Sequence, residues 1–400
     1  MTGLRGKKIL VGVTGSIAAF KAAGWVHALA REEARVTVVM TEAATRFVAP
    51  LTFEALSGNP VHVRMFDDGA APMTHIELAR EADTILIAPA TANTIARLAH
   101  GMADDLLSTT VLAAADRPVV ICPAMNTHMF THPATRENID RLRERGCLVV
   151  DPDQGRLACG DEGPGRLPEW DRVREELLGC LSSRDLEGRK VLVTAGPTRE
   201  ELDPARFLSN RSSGRMGFAL ARTARRRGAA VILVAGPVSL PDPPGVEVIR
   251  VVSAREMREA VLRCSGDADI IVKSAAVADF RPAHPEAAKV KKASAPLRLD
   301  LAPNPDILAE LGEKKKPGQI LVGFAAESGN HEEEGRRKLR EKNLDLVVVN
   351  DITGNSTGFE AETNQVLLID EQETARLPLL TKEETADRIW DRVAALAPGG

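Results

Sequence analysis

Short apolar runs rich in valine, isoleucine and leucine recur along this chain, and most of them lead into glycine, proline or asparagine. Two of these runs resemble each other: residues 9–13 follow Lys7-Lys8, and residues 191–195 follow Arg189-Lys190. Continuous apolar runs, unlike alternating ones, are typical of strands that are buried on both faces of a parallel sheet. The pattern therefore predicts two α/β units, one beginning near residue 7 and the other near residue 190.

The same pattern predicts the remaining elements of both units. Further strands are expected at residues 36–40, 84–88, 119–122, 230–235 and 270–272. Helices are expected from Ser16, whose hydroxyl is a suitable N-cap, from about His75, at residues 171–181, and from Gly214 to about Arg227.

A polar connection, Ser182-Ser-Arg-Asp-Leu-Glu-Gly188, separates the two units. At about 150 residues per domain, a chain of 400 residues accommodates two or three domains. We therefore predict an α/β fold of two Rossmann-like three-layer domains with parallel-type sheets. The domains are expected at residues 1–182 and 190–400, joined by a linker at 183–189.

Composition and charge narrow the choice of partners. The net charge of −4 gives no reason to expect nucleic acid or a membrane surface as a partner. No apolar run approaches the ~18 residues of a membrane span and no signal-peptide pattern is present, so we expect a cytoplasmic location. The five cysteines lack paired spacing and predict neither a disulfide framework nor a zinc site.

The first strand-to-helix turn is a candidate phosphate site. Gly12 and Gly15 flank the connection that leads to Ser16. Backbone N–H groups and the helix dipole at such a turn favour a phosphate. The spacing is not GxGxxG, however, and Thr41-Glu42 follows the second strand in place of a clear ribose-binding acid, so a dinucleotide is disfavoured.

Two later strands of the first unit end alike. One leads into Pro89-Ala-Thr-Ala-Asn93 and the next into Pro123-Ala-Met-Asn126. Ligands of open parallel sheets bind at the carboxyl ends of the strands, where small residues let a flat ring approach and asparagine supplies a donor and an acceptor. The repetition favours a ligand site, and two ordinary strand-to-helix turns are the alternative interpretation.

Two further features of the first half carry reactive side chains. A lone histidine at a helix start, such as His75, is more often structural than catalytic. Residues 155–166 hold four glycines and a proline around Cys159, a composition for which we expect a mobile flap instead of a helix or strand. A cysteine on such a flap is a candidate acid, base or nucleophile.

The segments described so far, with Gly101-Met-Ala-Asp-Asp-Leu-Leu107, occur in the order seen in flavin-dependent cysteine decarboxylases. Residues 1–180 resemble phosphopantothenoylcysteine decarboxylase. The resemblance implies a flavodoxin-like domain that binds FMN and forms trimers, in which a neighbouring subunit contributes to the ring site. It implies these cofactor-binding positions: Gly15, Ser16, Ile17, Thr41, Pro89, Ala90, Thr91, Asn93, Ala124 and Met125.

The resemblance also implies the chemistry of the first half. The flavin oxidises the thiol side of the cysteinyl substrate, CO2 is lost, and the product is then reduced. Cys159 would supply the proton for this reduction, Asn126 would hold the substrate carboxylate, and His75 would assist the oxidative half. The resemblance thus reverses the structural interpretation of His75.

In the second half, polar residues again follow the predicted strands and are expected at the edge where the carboxyl ends of those strands lie. Residues 196–214 are inserted before a helix and contain Asn210, and Lys273-Ser-Ala-Ala-Val-Ala-Asp279 follows a strand. Lys289-Val-Lys-Lys292, near Pro303-Asn-Pro-Asp306, has the charge to neutralise a triphosphate, with a solvated loop as the alternative. The Walker pattern is absent, so a P-loop enzyme is not expected.

With Gly323-Phe-Ala-Ala-Glu327, these segments resemble phosphopantothenate–cysteine ligase over residues 190–400. The implied reaction joins 4′-phosphopantothenate and cysteine through an acyl-cytidylate, using CTP and Mg²⁺. Asn210 would stabilise that intermediate, and Lys289 would serve the attack by the amine. By its position after a strand, Asp279 is available to a ribose or, through water, to a metal. The implied nucleotide-binding positions are Lys273, Ser274, Ala275, Asp279, Lys289, Asn304, Pro305, Asp306, Ile307, Leu308, Phe324, Lys338 and Lys342.

The order of the two halves matches the bifunctional enzymes of bacterial coenzyme A synthesis. Trimers of the first domain joined through dimers of the second would make a homo-oligomer, with a dodecamer as the expected size. Three alternatives stay open: a nicotinamide oxidoreductase, an FMN-binding regulatory protein, and a chain with only one active half. The missing dinucleotide fingerprint disfavours the first, and the Cys159 segment with Asn126 argues against a purely regulatory role.

Overall fold

The computed structural model describes residues 3–66, 73–114, 116–290, 299–327, 331–351 and 363–396. The chain divides into two compact units, Met1–Ser182 and Ser183–Gly400. Both are α/β units with mainly parallel sheets, which confirms the predicted fold class. None of the helices in the described ranges is long and apolar enough to span a lipid bilayer.

Besides a short 3-10 helix at Ala44–Arg46, the first unit contains eight α-helices and eight strands in its described residues. In chain order they are β1 (Lys8–Val13), α1 (Ala19–Arg31), β2 (Arg35–Met40), α2 (Pro50–Ser57), β3 (Val61–His62), α3 (Thr74–Glu81), β4 (Thr84–Ala90), α4 (Ala92–His100), α5 (Leu106–Ala113), β5 (Val119–Pro123), α6 (Thr127–Thr131), α7 (Pro133–Glu144), β6 (Leu148–Val149), β7 (Asp153–Arg156), β8 (Glu162–Arg166) and α8 (Trp170–Leu181). Six of the strands form a parallel sheet in the order β3-β2-β1-β4-β5-β6.

Apolar layers cover both faces of this sheet. Val11 faces a layer to which α1 contributes Trp25 and Leu29, whereas its neighbour Leu10 faces a layer to which α4 contributes Ile95. Because alternate strand residues point to opposite faces, a strand covered on both sides needs apolar residues at every position. This requirement accounts for the continuous apolar runs in the sequence.

The predicted start of the first helix is wrong. α1 begins at Ala19, and its N-cap position is Ala18, without a side-chain cap, in place of Ser16. The N–H of Ser16 bonds the carbonyl of Thr14 at 2.8 Å, and the N–H of Ala19 bonds the carbonyl of Ser16 at 3.0 Å. The chain therefore makes a tight turn at the end of β1 before the helix can begin.

The prediction that residues 155–166 form no strand is also wrong, because β7 and β8 pair as an antiparallel hairpin. Gly155 lies opposite Gly163, with φ values of 143° and 153° that residues with side chains rarely adopt. Glycine thus permits this ladder instead of preventing it. Leu157 N–H bonds Asp161 O at 2.8 Å and closes the tip, which carries Cys159.

The second unit follows the same plan with more strands. In chain order its elements are β9 (Lys190–Ala195), β10 (Arg199–Asp203), β11 (Arg206–Ser209), α9 (Arg215–Arg226), β12 (Ala230–Ala235), β13 (Glu247–Arg250), α10 (Ala254–Ser265), β14 (Ile270–Lys273), β15 (Phe280–Pro282), β16 (Leu301–Pro303), α11 (Ile307–Glu313), β17 (Ile320–Glu327), α12 (His331–Glu341), β18 (Leu346–Asp351), β19 (Thr363–Asn364), β20 (Val366–Ile369), β21 (Thr374–Arg376), β22 (Leu380–Thr381) and α13 (Lys382–Leu396). The main sheet has the order β13-β12-β9-β14-β17-β18-β20-β21. Its strands are parallel from β13 to β18, and β20 and β21 add an antiparallel edge.

Helices α9 and α13 pack together on one face of this second sheet. Trp390 of α13 is fully buried, and its indole N–H donates to the carbonyl of Leu220 in α9 at 3.0 Å. The inserted residues 196–214 form the hairpin β10–β11, after which Gly214, with φ of 74°, leads into α9. The insertion was predicted from the sequence, whereas its hairpin and the antiparallel edge of the sheet were not.

Candidate functional site

An open cavity of about 880 Å³ lies where β1, β2 and β4 of the first unit end. Gly15, Thr41, Thr91 and Asn93, four of the predicted cofactor positions, line it together. They come from three separate loops, and the order of the parallel strands brings these loops to one edge. Ligand sites in proteins commonly have volumes of roughly 300–1,000 Å³, so this cavity is large enough for a mononucleotide.

Thr14 fixes the geometry of this edge. Its fully buried hydroxyl donates to the carbonyl of Pro89 at 2.6 Å and accepts the N–H of Thr91 at 3.0 Å. One side chain at the end of β1 thereby holds the loop that follows β4. The sequence analysis missed Thr14, although its position directly after a buried strand and before Gly15 is a usable signal.

The turn after β1 suits a phosphate. A Cβ at Gly15 would lie 2.5 Å from the Cβ of Ala43, so only glycine fits this close approach. Ser16 Oγ accepts the N–H of Ala18 at 3.3 Å, and Ile17 is 57% exposed. Because no side chain caps α1, the positive end of the helix dipole faces this turn without a competing carboxylate.

The remaining predicted cofactor positions do not line the cavity. Pro89, Ala90 and Ala124 are buried, and Met125 is half-buried. The N–H of Ala124 donates to the carbonyl of Ala90 at 3.1 Å, which ties the loop after β5 to the end of β4. This backbone bond sets the distance between the two loops, and the two alanines offer backbone more than side chains to a ligand.

An ion pair in the cavity wall was not predicted. Arg97 of α4 bonds Asp105 at 2.7 Å and lies 3.3 Å from Asp104. Asp105 also caps α5 through the N–H of Ser108 at 2.7 Å. The motif of residues 101–107 signalled this segment, but the Arg97 pairing depends on how α4 and α5 lie together.

Asn126 and Cys159, predicted as catalytic from distant parts of the sequence, lie in contact. Asn126 Nδ2 lies 3.2 Å from Cys159 Sγ and 2.7 Å from Asp161 Oδ2. The hydrogen bond from Asn126, and next the one from Cys159, lower the pKa of the Asp161 carboxyl. Asp161 was not predicted, and only its proximity to Cys159 in sequence signals it.

The base of the hairpin holds this contact in place. The N–H of Met125 donates to the carbonyl of Gly165 at 3.0 Å, and a Cβ at Gly165 would lie 2.2 Å from the Met125 oxygen. His75 lies elsewhere, half-buried in the first turn of α3, and takes no part in the hydrogen bonds among Asn126, Cys159 and Asp161.

In the second unit, the ends of β9 and β14 are joined by side-chain hydrogen bonds. Thr194 Oγ1 accepts the N–H of Ala275 at 3.1 Å, and Ser274 Oγ donates to the Thr194 carbonyl at 2.7 Å. A Cβ at Gly217 of α9 would lie 2.7 Å from Ser274 Oγ. The predicted positions Ser274 and Ala275 are therefore held close to the start of α9.

The loop after β14 gathers three of the predicted polar residues. Asn210 Nδ2 donates to the carbonyl of Val277 at 2.9 Å. Asn304 Nδ2 donates to the carbonyl of Ala278 at 2.8 Å, and its backbone N–H bonds the Asp279 carbonyl at 2.8 Å. The hairpin side and the α11 side of the site thus meet on this loop, although 94 positions separate Asn210 from Asn304 (304 − 210).

Opposite charges surround the half-buried Lys273. Burial lowers the pKa of Lys273 to about 8, against the opposing influence of Asp306 and with a further lowering influence of Lys342. Lys342 Nζ bonds Asp306 at 2.8 Å, and this bond lowers the pKa of Asp306 although burial opposes the shift. Lys338 of α12 adds to the same positive field. Four predicted nucleotide positions are therefore electrostatically coupled.

Lys289 stands apart from this group. It is exposed, and the adjacent Val290 is tied to the hairpin β10–β11, because its N–H bonds Asp203 at 3.2 Å and its carbonyl accepts Arg206 at 3.1 Å. Hydrogen bonding by Arg206 holds the pKa of the buried Asp203 well below its usual range. Lys291 and Lys292 lie outside the described residues.

Three predicted nucleotide positions point their side chains into packed surfaces. Ile307 and Leu308 are 2% and 6% exposed and belong to the apolar core, and Phe324 packs against the core on the other face of the sheet. Pro305 lies in the loop before them, in the wall of an open groove with Asn304 and Asp306. Asp279 is exposed, and the described residues contain no cluster of three or more potential metal ligands.

Comparison with protein families assigns each unit. Residues 2–182 match the Flavoprotein family, and residues 186–396 match the DNA/pantothenate metabolism flavoprotein C-terminal domain. A coenzyme A biosynthesis bifunctional protein CoaBC of Bacillus subtilis is 48% identical over 400 residues, covering 98% of both chains. The Escherichia coli protein of the same name is 45% identical over 395 residues, covering 98% of this chain and 97% of its own.

Solved structures match each unit separately. The C-terminal domain of a CoaBC protein is 42% identical and covers 54% of this chain and 98% of its own, with a TM-score of 0.47. An FMN-dependent cysteine decarboxylase, SpaF, is 32% identical and covers 45% of this chain and 97% of its own, with a TM-score of 0.38. On the full-length sequence matches, the chain belongs to the family of bifunctional coenzyme A biosynthesis proteins named CoaBC, enzymes that combine a decarboxylase with a ligase.

Proposed function

We propose that the chain performs two successive steps of coenzyme A synthesis. The domain at residues 190–400 joins cysteine to 4′-phosphopantothenate at the expense of CTP, and the domain at residues 1–182 converts the phosphopantothenoylcysteine to 4′-phosphopantetheine with FMN. Residues 183–189 link the two. The observation that carries the decarboxylase assignment is the 3.2 Å contact between Asn126 Nδ2 and Cys159 Sγ, beside a mononucleotide-sized cavity.

The cavity residues suit FMN. The turn at Gly15, Ser16 and Ile17, with Thr41, would hold the phosphate, because it combines close backbone approach with a helix start. The residues that would lie beside the ring are Pro89, Ala90, Thr91, Asn93, Ala124 and Met125. When bound, FMN supplies the oxidation and the later reduction that this decarboxylation requires.

Each catalytic side chain of the first domain has a role that its chemistry supports. The Asn126 amide would donate a hydrogen bond to the substrate carboxylate and orient it for loss as CO2. The Cys159 thiol would give its proton to the carbon that is reduced in the second half of the reaction. We place His75 in the oxidative half, at a site that a neighbouring subunit completes.

In the second domain, the 4′-phosphopantothenate carboxylate attacks the α-phosphorus of CTP and pyrophosphate leaves. The amine of cysteine then displaces CMP from the acyl-cytidylate. Asn210 would hydrogen-bond that intermediate, and Lys289 would assist the attack by the amine. Lys273, Lys338 and Lys342 would balance the charge of the phosphates during transfer.

Mg²⁺ is the metal that we propose for the ligase. Magnesium sites in such enzymes use one or two carboxylates and complete the shell with phosphate oxygens and water. The exposed, single carboxylate of Asp279 fits that pattern. We further propose a cytoplasmic homo-oligomer in which trimers of the first domain are joined through dimers of the second, giving a dodecamer.

One mass-spectrometric assay tests both halves. The purified protein, with its flavin absorbance recorded, is incubated with 4′-phosphopantothenate, cysteine, Mg²⁺ and either CTP or ATP. Formation of 4′-phosphopantetheine and CMP from the CTP sample is the expected result. Accumulation of phosphopantothenoylcysteine would contradict the decarboxylase assignment, equal rates with ATP would contradict CTP specificity, and no product from a flavin-loaded protein would favour a regulatory role.

A further inference from the structure

The amide of Asn126 is held in one orientation. Its Oδ1 accepts the backbone N–H of His128 at 2.8 Å, which makes Asn126 the N-cap of α6. Because a backbone N–H can only donate, the oxygen must occupy that side of the amide. The Nδ2 atom therefore points toward the hairpin tip, where it meets Asp161 Oδ2 at 2.7 Å and Cys159 Sγ at 3.2 Å.

Both hydrogens of this amide are engaged in the structure, one by a carboxylate and one by a sulfur. A substrate carboxylate can bind Nδ2 only by replacing one of these two groups. Asp161 is the matching group, since the hydrogen bonds from Asn126 and from Cys159 lower the pKa of Asp161, so that it is an anion at neutral pH. The same place on Asn126 thus suits either an internal or an external carboxylate.

We propose that Asp161 is a specificity-determining residue. In the absence of substrate it binds the Asn126 amide where the substrate carboxylate would bind, and only a ligand that carries a carboxylate displaces it. The inference rests on the proposed decarboxylase function, in which Asn126 binds that carboxylate. The reaction removes the carboxylate as CO2. The product then lacks the group that held Asp161 away, Asp161 returns to Asn126, and substrate is distinguished from product.

The same exchange changes the hydrogen bonding of Cys159. Asp161 Oδ2 also accepts the S–H of Cys159 at 3.4 Å. When a substrate carboxylate displaces Asp161, this hydrogen bond is lost together with the one from Asn126. The S–H of Cys159 is therefore hydrogen-bonded to Asp161 in the absence of substrate and loses this acceptor while a substrate carboxylate occupies Asn126.

The test compares Asp161→Ala and Asp161→Asn with Glu162→Gln, a matched control that changes the neighbouring exposed carboxylate. The full-length, flavin-loaded proteins are assayed for KM with phosphopantothenoylcysteine and for inhibition by 4′-phosphopantetheine. We expect Asp161→Ala to lower KM about fivefold and to leave the inhibition constant unchanged, because only the substrate competes with Asp161. The KM of Asp161→Asn should lie between those of Asp161→Ala and the wild type, and Glu162→Gln should match the wild type in both constants.

A higher KM in Asp161→Ala would overturn the proposal, since it would mean that Asp161 orients Asn126 for the substrate. Equal decreases in KM and in the inhibition constant would also overturn it. Failure of the proposed function is distinct, because the wild type would then show no turnover of phosphopantothenoylcysteine. The contact between Asp161 and Asn126 is then tested by hydrogen exchange without substrate. Faster exchange at residues 157–161 in Asp161→Ala supports the proposal, and unchanged exchange rejects it.

Discussion

Thr14 shows how one buried hydroxyl holds a ligand loop at a fixed distance from a strand. It contacts no residue predicted as catalytic, yet its bonds to Pro89 and Thr91 position the loop that lines the cavity. Thr194 acts in the same way in the second unit, where its hydroxyl accepts the N–H of Ala275. In both units a threonine at the carboxyl end of a central apolar strand bonds the loop that follows a neighbouring strand.

Replacing Thr14 with valine should remove both bonds while keeping the volume of the side chain. The buried carbonyl of Pro89 and the half-buried N–H of Thr91 would lose their partner, which costs about 1–3 kcal/mol of the free energy of unfolding of the first unit. Hydrogen exchange of the amides in β4 and α4 measures this loss, and flavin retention after dialysis should fall with it. Thr14→Ser restores the hydroxyl and should recover most of the stability; equal losses in both variants would contradict the argument.

Lys273 gives the second unit a pH dependence. Its pKa is about 8 in the folded chain and near the ordinary value of 10.5 in the unfolded chain. Above pH 8 the folded chain loses this proton first, so the contribution of Lys273 to stability increases between about pH 8 and 10.5. The positive charge that Lys273 offers to a triphosphate decreases as the pH increases over the same range.

We therefore expect the affinity for CTP with Mg²⁺ to decline as pH increases through about 8. Lys273→Arg should remove that inflection, because an arginine keeps its charge throughout this range. Calorimetric titrations between pH 6.5 and 9.5, roughly the interval in which a lysine with this pKa changes charge, measure the effect. Lys314→Arg, on an exposed lysine of the same unit, is the control, and an unchanged inflection in Lys273→Arg would assign the pH dependence to another group.

At the scale of elements, the hairpin β7–β8 decides whether the first site is complete. It supplies Cys159 and Asp161 and is docked by the Met125–Gly165 hydrogen bond onto the loop that carries Asn126. Glycine is required at the point of contact for two reasons: its φ is 149°, and a Cβ would meet the Met125 oxygen at 2.2 Å. The hairpin and the loop that carries Asn126 are therefore held together as one structural unit.

Gly165→Ala should push the hairpin away from Asn126. We expect decarboxylase activity to decrease by at least about tenfold, since a shift of ~1 Å at reacting groups has large effects on rate. Flavin binding and ligase activity should stay unchanged. The control is Gly179→Ala in α8, where a Cβ meets no atom within 4 Å. Equal activity in the two variants would show that the docking contact does not position Cys159.

At the scale of the whole molecule, each unit contains its own sheet, its own core and its own candidate site. The division at residues 182 and 183 leaves every contact described above within one unit. Two separate sites imply that the ligase product must reach the decarboxylase site either through solution or directly. The structure of each unit alone allows both routes.

Mixing two single variants distinguishes these routes. Asn210→Ala should stop amide formation, and Cys159→Ser should release CO2 but leave an oxidised product. An equimolar mixture of the two full-length variants should form 4′-phosphopantetheine from 4′-phosphopantothenate if the intermediate diffuses between chains. Mass spectrometry of each variant alone and of the mixture gives the answer, and a mixture without product would show that transfer stays within one chain.

The sequence by itself determined the two α/β units and the edge of each sheet that carries chemistry. Continuous apolar runs specify strands buried on both faces, and the residues that follow such strands must lie at one edge when the strands are parallel. The family resemblance implied that Gly15, Thr41, Thr91 and Asn93 bind one cofactor, and these four residues line one cavity at that edge. Asn126 was singled out because it follows such a strand, and Cys159 because it lies in a glycine-rich segment where packing does not explain a cysteine.

Only the tertiary structure decided which of these groups touch. The pairing of Asp161 with Asn126 depends on the hairpin, and the sequence pointed away from a hairpin because glycine and proline ordinarily weaken strands. The start of α1 and the ion pair of Arg97 likewise depend on local turns and helix packing that periodicity does not encode. Apolar periodicity records burial, which is averaged over a whole element, whereas a site is set by single distances between elements far apart in the chain.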